Sequence, residues 1–354
     1  MSYNDSETLL SKTVYGDAAP DDNVKNEGRK VVETLGRLAL AVAQAGAYIR
    51  ETSCTLEEYL ELYHKRQNEV LEYLPMHTGT DYRYTVYTTW QVSLDMIDSL
   101  QDATSKHALE LLKFLCFYHH DQIPVTMFYK AWHHSKEDPK ASSSLWPGAS
   151  SEFSDYRRSM QASVTLLASF SLITRDSDAS LSLHPLVHDW CQDRMSKAEQ
   201  RSGCRRAASL LVRSVEWKFE TEDYTFRRSL VSHVHACLRV YNHTNEEFDD
   251  SATQECSVMA LILGENGSTR DAIKLLEQAM ALRKSKLGED HPDTLGSMHS
   301  LAIRYSEAGR RPEALRLTEQ VVQLRRNKLG EDHPDTLGSM HSLAIRYSEA
   351  GRRP

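Results

Sequence analysis

KLGEDHPDTLGSMHSLAIRYSEAGRRP fills residues 286–312 and returns letter for letter at 328–354, an offset of 42 residues. A fixed period between about 20 and 50 residues marks an array whose units each hide an apolar face against the next. Such arrays present binding surfaces more often than catalytic centres. The period predicts antiparallel helix pairs, with helix A over 251–267, 293–309 and 335–351 and helix B over 270–287 and 312–329. Gly288 and Gly330 fit left-handed helix ends. Pro292 and Pro334 can open the next helix without losing a bonded N–H, and Asp293 and Asp335 suit its positive end. In the middle unit Met298, Leu301, Ala302 and Tyr305 share one face, and Ala314, Leu317 and Val321 answer from helix B. The unit before it keeps the plan with Cys256, Met259, Ala260, Leu263, Ala272 and Leu276. The second copy stops at its last letter, halfway through a unit, which reads as a truncated array with an orphan final helix.

Working upstream, apolar residues at helical spacing continue. Val31, Val32, Leu35, Leu38, Leu40, Val42 and Ala45 read as one apolar helix, and Leu56, Tyr59, Leu60, Leu62 and Tyr63 as a second. Residues 17–23, with Pro20, read as a loop before the first. The stretch 82–90 (YRYTVYTTW) is aromatic and β-branched and reads as an extended connector. Residues 94–118 are helical again, Pro124 opens a short helix, and 136–151 is a loop by composition. A helix over 156–170 precedes two short strands, 172–174 and 181–183, around the polar turn 175–179. His184-Pro185 ends the hairpin, and Leu186, Val187, Trp190 and Met195 begin another helix. Helices, hairpin, helix is the layout of a winged-helix module. Residues 201–217 and 226–241 are further amphipathic helices. The expected fold is mainly α: a helical subdomain (1–97), a winged-helix-like module with a short β-hairpin (98–198), a helical connector (199–250) and a repeat solenoid (251–354).

Composition sets bounds on function. The 354 residues leave room for two or three domains, and 40% apolar with 26% charged residues is ordinary for a globular chain. The net charge is −8, yet from Thr269 onward 15 basic residues face 12 acidic ones, so the preceding body is the acidic part. That balance disfavours indiscriminate binding to nucleic acid or anionic membrane. No apolar run reaches the ~18 residues of a membrane span, and MSYNDSETLL has no secretory pattern. The six cysteines, Cys54, Cys116, Cys191, Cys204, Cys237 and Cys256, contain no Cys-x-x-Cys and fit reduced core thiols. A soluble, cytoplasmic protein is expected.

The 42-residue unit carries L-A-x-x-Y (Leu301 to Tyr305), E-A-x-x-L (Glu313 to Leu317) and L-G-x-D-H-P-D-T-L (Leu287 to Leu295). It resembles the tetratricopeptide repeat of the kinesin-light-chain type. The resemblance implies a concave helix A face that holds a protein or an extended peptide. The matching positions are His299, Ile303 and Ser306, then His341, Ile345 and Ser348. Where that family places paired asparagines that bond the peptide backbone, this chain has His299-Ser300 and His341-Ser342.

The body resembles a second family. LGRLALAVAQAGAYI (35–49) is similar to the G-L-P-L-A helix of NB-ARC domains, the ATPases of NOD-like receptors. TLEEYLELY (55–63), TVYTTWQVSL (85–94) and SLHPLVHDWCQDRM (182–195) follow in the order of fungal NB-ARC proteins with tetratricopeptide tails. Leu183-His184-Pro185 falls where that family has Met-His-Asp, so the resemblance makes His184 a candidate contact to ADP phosphate, given a complete nucleotide-binding core. Ala39 stands for the family's adenine-side proline and Pro185 for its aspartate.

Absent motifs narrow the function further. The chain has no G-x-x-x-x-G-K-[ST] loop and no hydrophobic run ending in paired acids to hold Mg²⁺. Phosphoryl transfer rests on that positioning and charge neutralisation. No G-x-S-x-G elbow and no spaced cysteine–histidine–acid set is present. No catalysis, resident cofactor or metal is expected. His184, His188 and Asp189 place two imidazoles at i and i+4 but lack the glutamate of H-E-x-x-H, and His119-His120 and His133-His134 cannot share a helix face. The leading expectation is a non-catalytic interaction and sensing fragment of a NOD-like-receptor-type signalling ATPase. Its repeats would hold a ligand or fold back on the body, with self-association and an innate-immunity-like role implied by the resemblance. The alternative is a DNA-binding transcription regulator of the same STAND superfamily. Arg201, Arg205, Arg206 and Arg213 favour it, but the helix before the hairpin offers only Arg157 and Arg158 to a groove.

Overall fold

The computed structural model describes residues 1–16, 22–73, 81–135, 152–176, 179–216, 221–244 and 250–349. They fall into two compact units, Met1–Gly203 and Cys204–Pro354. In chain order the first holds α1 (Tyr3–Tyr15), α2 (Asp22–Thr34), α3 (Ala39–Thr52), α4 (Leu56–Tyr73), α5 (Asp81–Ser99), α6 (Ala103–Leu115), β1 (Ile123–Pro124), α7 (Val125–Ser135), α8 (Phe153–Ser169), β2 (Thr174–Arg175), β3 (Ser180–Ser182) and α9 (Pro185–Asp193). The boundary between the units lies within α10 (Lys197–Arg213).

Local chemistry sets the helix ends. Ser2 caps α1 by accepting from the Asp5 N–H, and Asp102 caps α6 by accepting from Ser105 N–H at 2.6 Å. Before α4, Thr55 and Glu58 bond each other's backbone N–H reciprocally (2.7 and 3.1 Å), and Ser196 with Glu199 does the same for α10. The apolar run from Val31 to Ala45 is not one helix. Gly36 and Arg37 both take positive φ (61° and 57°), and the chain divides there into α2 and α3. The 94–118 stretch likewise divides, at Gln101 (φ 53°), into α5 and α6. Asp22 and Asn23, read as loop, begin α2; the rest of that loop and 136–151 lie outside the described residues.

The larger departure is 82–90, read as extended and found inside α5. Val86, Tyr87, Thr88, Thr89 and Trp90 are all buried, so no polar face betrays the helical period. The β-branched threonine is satisfied locally: Thr89 Oγ1 donates to the Val86 carbonyl at 2.7 Å. Burial outweighs the weak propensity for strand. Trp90 packs against Trp190 of α9 with ring centroids 5.4 Å apart, and Gln44 of α3 donates to Ser93 of α5 and to the Phe170 carbonyl after α8. A buried amide that joins three segments fixes their register, because an unpaired donor there would be costly.

The hairpin is present, starting later than expected: β2 pairs antiparallel with β3 (Thr174↔Ser182, Arg175↔Leu181), with Leu172 and Ile173 buried just ahead of it. Among the described residues β1 adds a third strand on the other edge of β3 (Ile123↔Leu181), giving the order β1-β3-β2. Pro124 was legible as a helix opener, and it does precede α7. Its role as an edge-strand residue was not, although an edge is where a residue without an N–H is tolerated.

The second unit continues with α11 (Thr221–Ser229), α12 (Val231–Thr244), α13 (Asp250–Glu265), α14 (Thr269–Leu287), α15 (Pro292–Glu307), α16 (Arg311–Leu329) and α17 (Pro334–Glu349). The helix expected over 226–241 breaks at Leu230. From α13 onward each helix packs on the next, as the repeat predicts. The cap assignment needs correcting. Gly288 and Gly330 do take positive φ (94° and 91°), but with ψ of 164° and 168° they lie in a glycine-only extended region, not in a left-handed helical turn. Helix A is closed by Gly309 instead (φ 75°), with the Arg310 N–H bonding back to the Tyr305 carbonyl at 2.8 Å. Gly267, with Ser268 N–H to the Leu263 carbonyl, does the same one unit earlier.

Candidate functional site

The repeat units are locked to one another by contacts that recur at the sequence offset. Arg283 of α14 donates to the Ser297 hydroxyl of α15 at 2.5 Å, and Arg325 of α16 does the same to Ser339 of α17. Tyr305 donates to Glu277 and Tyr347 to Glu319, both at 2.7 Å. The arginine and glutamate positions escaped the sequence reading, which placed Tyr305 only on the face turned to helix B. The signal was there, since each pair returns 42 residues later.

His299, Ile303 and Ser306 occupy one stripe of α15, at i, i+4 and i+7, and all three are half-buried. Ser306 donates to Glu349 of α17 at 2.6 Å, and that carboxylate is also held by Arg346 at 2.7 Å. His299 lies within the field of Arg325 and Arg346; burial first, then those two cations, hold its imidazole below the usual histidine range. The stripe therefore faces the seam between successive units as well as solvent. One step earlier the position of Ser306 is taken by Gly264, where a Cβ would collide with the Arg304 guanidinium. Removing the side chain there lets Arg304 lie buried while it pairs with the exposed Glu307 at 2.7 Å. His341, Ile345 and Ser348 repeat the stripe on α17 and are exposed. The helix A row thus alternates guanidinium and carboxylate groups around exposed isoleucine. It can grip a polypeptide by ion pairs and apolar contact.

His184 sits at the N-terminus of α9, where its Nδ1 accepts from the Leu186 N–H at 3.2 Å. His291 does the same for Asp293 and His333 for Asp335, each before a proline and each at 3.2 Å. His-Pro is this chain's helix-opening dipeptide: the imidazole caps, and proline takes the first position. Burial lowers the His184 pKa, which favours the neutral ring that can accept. His188, four positions on, points its Nε2 at the Tyr118 carbonyl at 2.9 Å, and the described residues hold no cluster of three or more His, Cys, Asp or Glu fit for a metal ion. A cleft of about 330 Å³ between α5, α6 and the end of α9 carries Asp95, Asp98 and Glu199 beside Lys113 and Arg194. Three carboxylates against two cations make it unsuited to a phosphate. No helix of the described residues is long and apolar enough to cross a membrane.

Comparison with known proteins matches the tetratricopeptide repeat family over residues 253–327. A domain of unknown function (DUF7779) matches residues 99–200. A nucleotide-binding leucine-rich repeat (NLR)-like protein of Hyaloscypha variabilis is 27% identical over 292 residues, covering 78% of this chain and 26% of that protein. The chain thus spans about a quarter of that relative's length. Two crystal structures of a Podospora anserina putative kinesin light chain with nearly identical TPR-like repeats, one of them a single-residue variant, are each 21% identical with a TM-score of 0.36. Each covers 64% of this chain, and 87% of the variant's chain and 88% of the other are covered in turn. By its sequence matches, the chain is a distant homologue of an NLR-like protein and itself carries tetratricopeptide repeats over residues 253–327.

Proposed function

We propose that this chain is a non-catalytic, cytoplasmic interaction and sensing segment of an NLR-type signalling ATPase, in which the helix A row of the repeats holds a protein or peptide ligand. The observation that carries the reading is the row itself. Ile303 and Ile345 recur at the repeat distance, flanked by Ser306, Arg346 and Glu349, on helices pinned by the Arg283–Ser297 and Arg325–Ser339 bonds. A rigid, repeated surface of mixed charge and apolar patches suits an extended polypeptide, whose side chains also recur at fixed spacing. The relative's name describes a nucleotide-binding protein, but the phosphate loop is absent from this sequence and its candidate histidine is engaged as a cap.

A winged-helix reading of the middle of the first unit is supported by the order α6, β1, α7, α8, β2, β3 with sheet order β1-β3-β2. A role in reading DNA gains nothing from α8. That helix buries Tyr156, Met160, Ser163, Val164 and Leu167, packs on α6, and exposes Arg157 and Arg158 at one end.

A displayed library of unstructured peptides, panned against the full chain, tests the proposal. Enriched peptides are expected to lose binding to Ile345→Asp and to keep it with Gln323→Ala on the outer helix. Enrichment indifferent to Ile345→Asp overturns it.

A further inference from the structure

The cleft between α5, α6 and the end of α9 lies wholly within the first unit, apart from the helix A row of the repeats. Two of its three carboxylates already serve the fold. Asp95 accepts from Gln91 at 2.8 Å and pairs with Arg66 at 2.6 Å. Glu199 accepts the Ser196 N–H at 2.9 Å and its hydroxyl at 2.8 Å, closing the start of α10.

Three charged side chains remain. Asp98 lies in the last turn of α5, Lys113 in the last turn of α6, and Arg194 at the C-terminal cap of α9. Among the described residues none of the three side chains has a hydrogen-bond or ion-pair partner. The Arg194 guanidinium lies over the Trp190 ring, 4.8 Å from its centroid. Stacking of that kind steadies the group and leaves its N–H edge unused. Lys113 stands in the field of Glu199 without pairing to it. Leu94, Leu109, Leu112 and Met195 supply an apolar wall between these charges. At about 330 Å³ the cleft falls at the small end of the range for small-molecule sites, about 300–1,000 Å³.

Charge narrows the ligand. The whole set carries one more carboxylate than cation, so it repels a dianion and favours a molecule without net charge. Within that limit a guanidinium fork beside an ammonium group suits a single carboxylate. Asp98, at the negative end of the α5 dipole, suits a cation. The leucines and methionine suit a short aliphatic group.

We infer that this cleft binds a free α-amino acid with an aliphatic side chain. Its carboxylate meets Arg194 and Lys113, its ammonium meets Asp98, and its side chain lies against Leu94, Leu109, Leu112 and Met195. The first unit thereby gains a small-molecule input that is independent of what the repeats hold.

Equilibrium dialysis of the full chain against radiolabelled L-leucine is expected to show saturable binding. Isocaproate lacks the ammonium and leucinamide lacks the carboxylate, so each should compete far less well than unlabelled leucine. Asp98→Asn and Arg194→Gln should each weaken leucine about tenfold or more, the cost of one lost charge-assisted hydrogen bond. Both residues are exposed, so both variants should keep the parent's unfolding midpoint, which is measured alongside. Absence of saturable leucine binding overturns the inference. So does competition by isocaproate or leucinamide equal to that of leucine, or binding indifferent to both variants.

Discussion

Ser306 donates its hydroxyl proton to the carboxylate of Glu349, 2.6 Å away, and so ties one helix A to the next across 43 residues of sequence. The bond, together with Arg346, holds the Glu349 pKa below the ordinary glutamate value. A carboxylate with a depressed folded pKa stabilises the native state above its unfolded pKa, about 4.3, and loses that contribution as pH falls through the lower folded value. Glu349 is exposed and Ser306 half-buried, so the bond is worth less than about 1 kcal/mol. Ser306→Ala should lower the urea midpoint slightly at pH 7, and the difference from the parent should vanish once the pH is below the glutamate range. A difference that persists unchanged in acid would mean that the hydroxyl acts through packing.

His299 acts in the same sense at higher pH. Burial, Arg325 and Arg346 lower its pKa in the folded chain. At pH 7.5 both states are neutral there, and the imidazole contributes no linkage. As pH drops below about 6.5 the unfolded state takes up the proton first, so stability falls until the folded value is passed and then levels off. His299→Gln should remove this share of the acid sensitivity: the loss in unfolding free energy between pH 7.5 and 5.5 should be smaller than in the parent. Equal losses in both proteins would sink the assignment.

The repeats were legible in the sequence because their code is short-range: proline after histidine, glycine at each turn, alanine where helices cross, all returned at one offset. What escaped there was ψ at Gly288 and Gly330, since a glycine signals positive φ but not which of two regions it occupies. The body was harder. YRYTVYTTW looks extended because Thr85 to Trp90 are buried in succession and show no polar face, and the packing of Trp90 on Trp190 settles it. The candidate stripe was legible as residues but not in its surroundings. No local pattern around His299 reveals that Arg346, 47 positions later, stands beside it.

Leu295 and Leu337 offer one side chain in one helical sequence with two degrees of burial, 1% and 51% exposed. Leu295→Ala removes packed methyl groups and leaves a cavity against Val321, at a cost of about 2–5 kcal/mol. Leu337→Ala removes a half-solvated group, and surface changes of that kind stay within about 0.5 kcal/mol. Chemical unfolding of the two variants should separate them by at least ~1.5 kcal/mol. Amide exchange should agree, with α17 opening faster than α15 despite their shared sequence. Equal exchange rates would require cover on α17 that its exposed leucine does not show.

His184 is claimed by two roles that separate experimentally. As a cap it accepts the Leu186 N–H, and its loss should cost about 1 kcal/mol, in the range of other N-cap deletions. As an ADP contact its loss should show in nucleotide affinity. Calorimetry of the full chain with ADP is expected to give no micromolar binding, because the phosphate loop that would hold the diphosphate is absent. His184→Asn keeps a side-chain acceptor at the cap and should restore most of the stability that His184→Ala loses. If ADP does bind, and His184→Asn weakens it while stability is restored, the histidine serves the nucleotide and the cap is incidental.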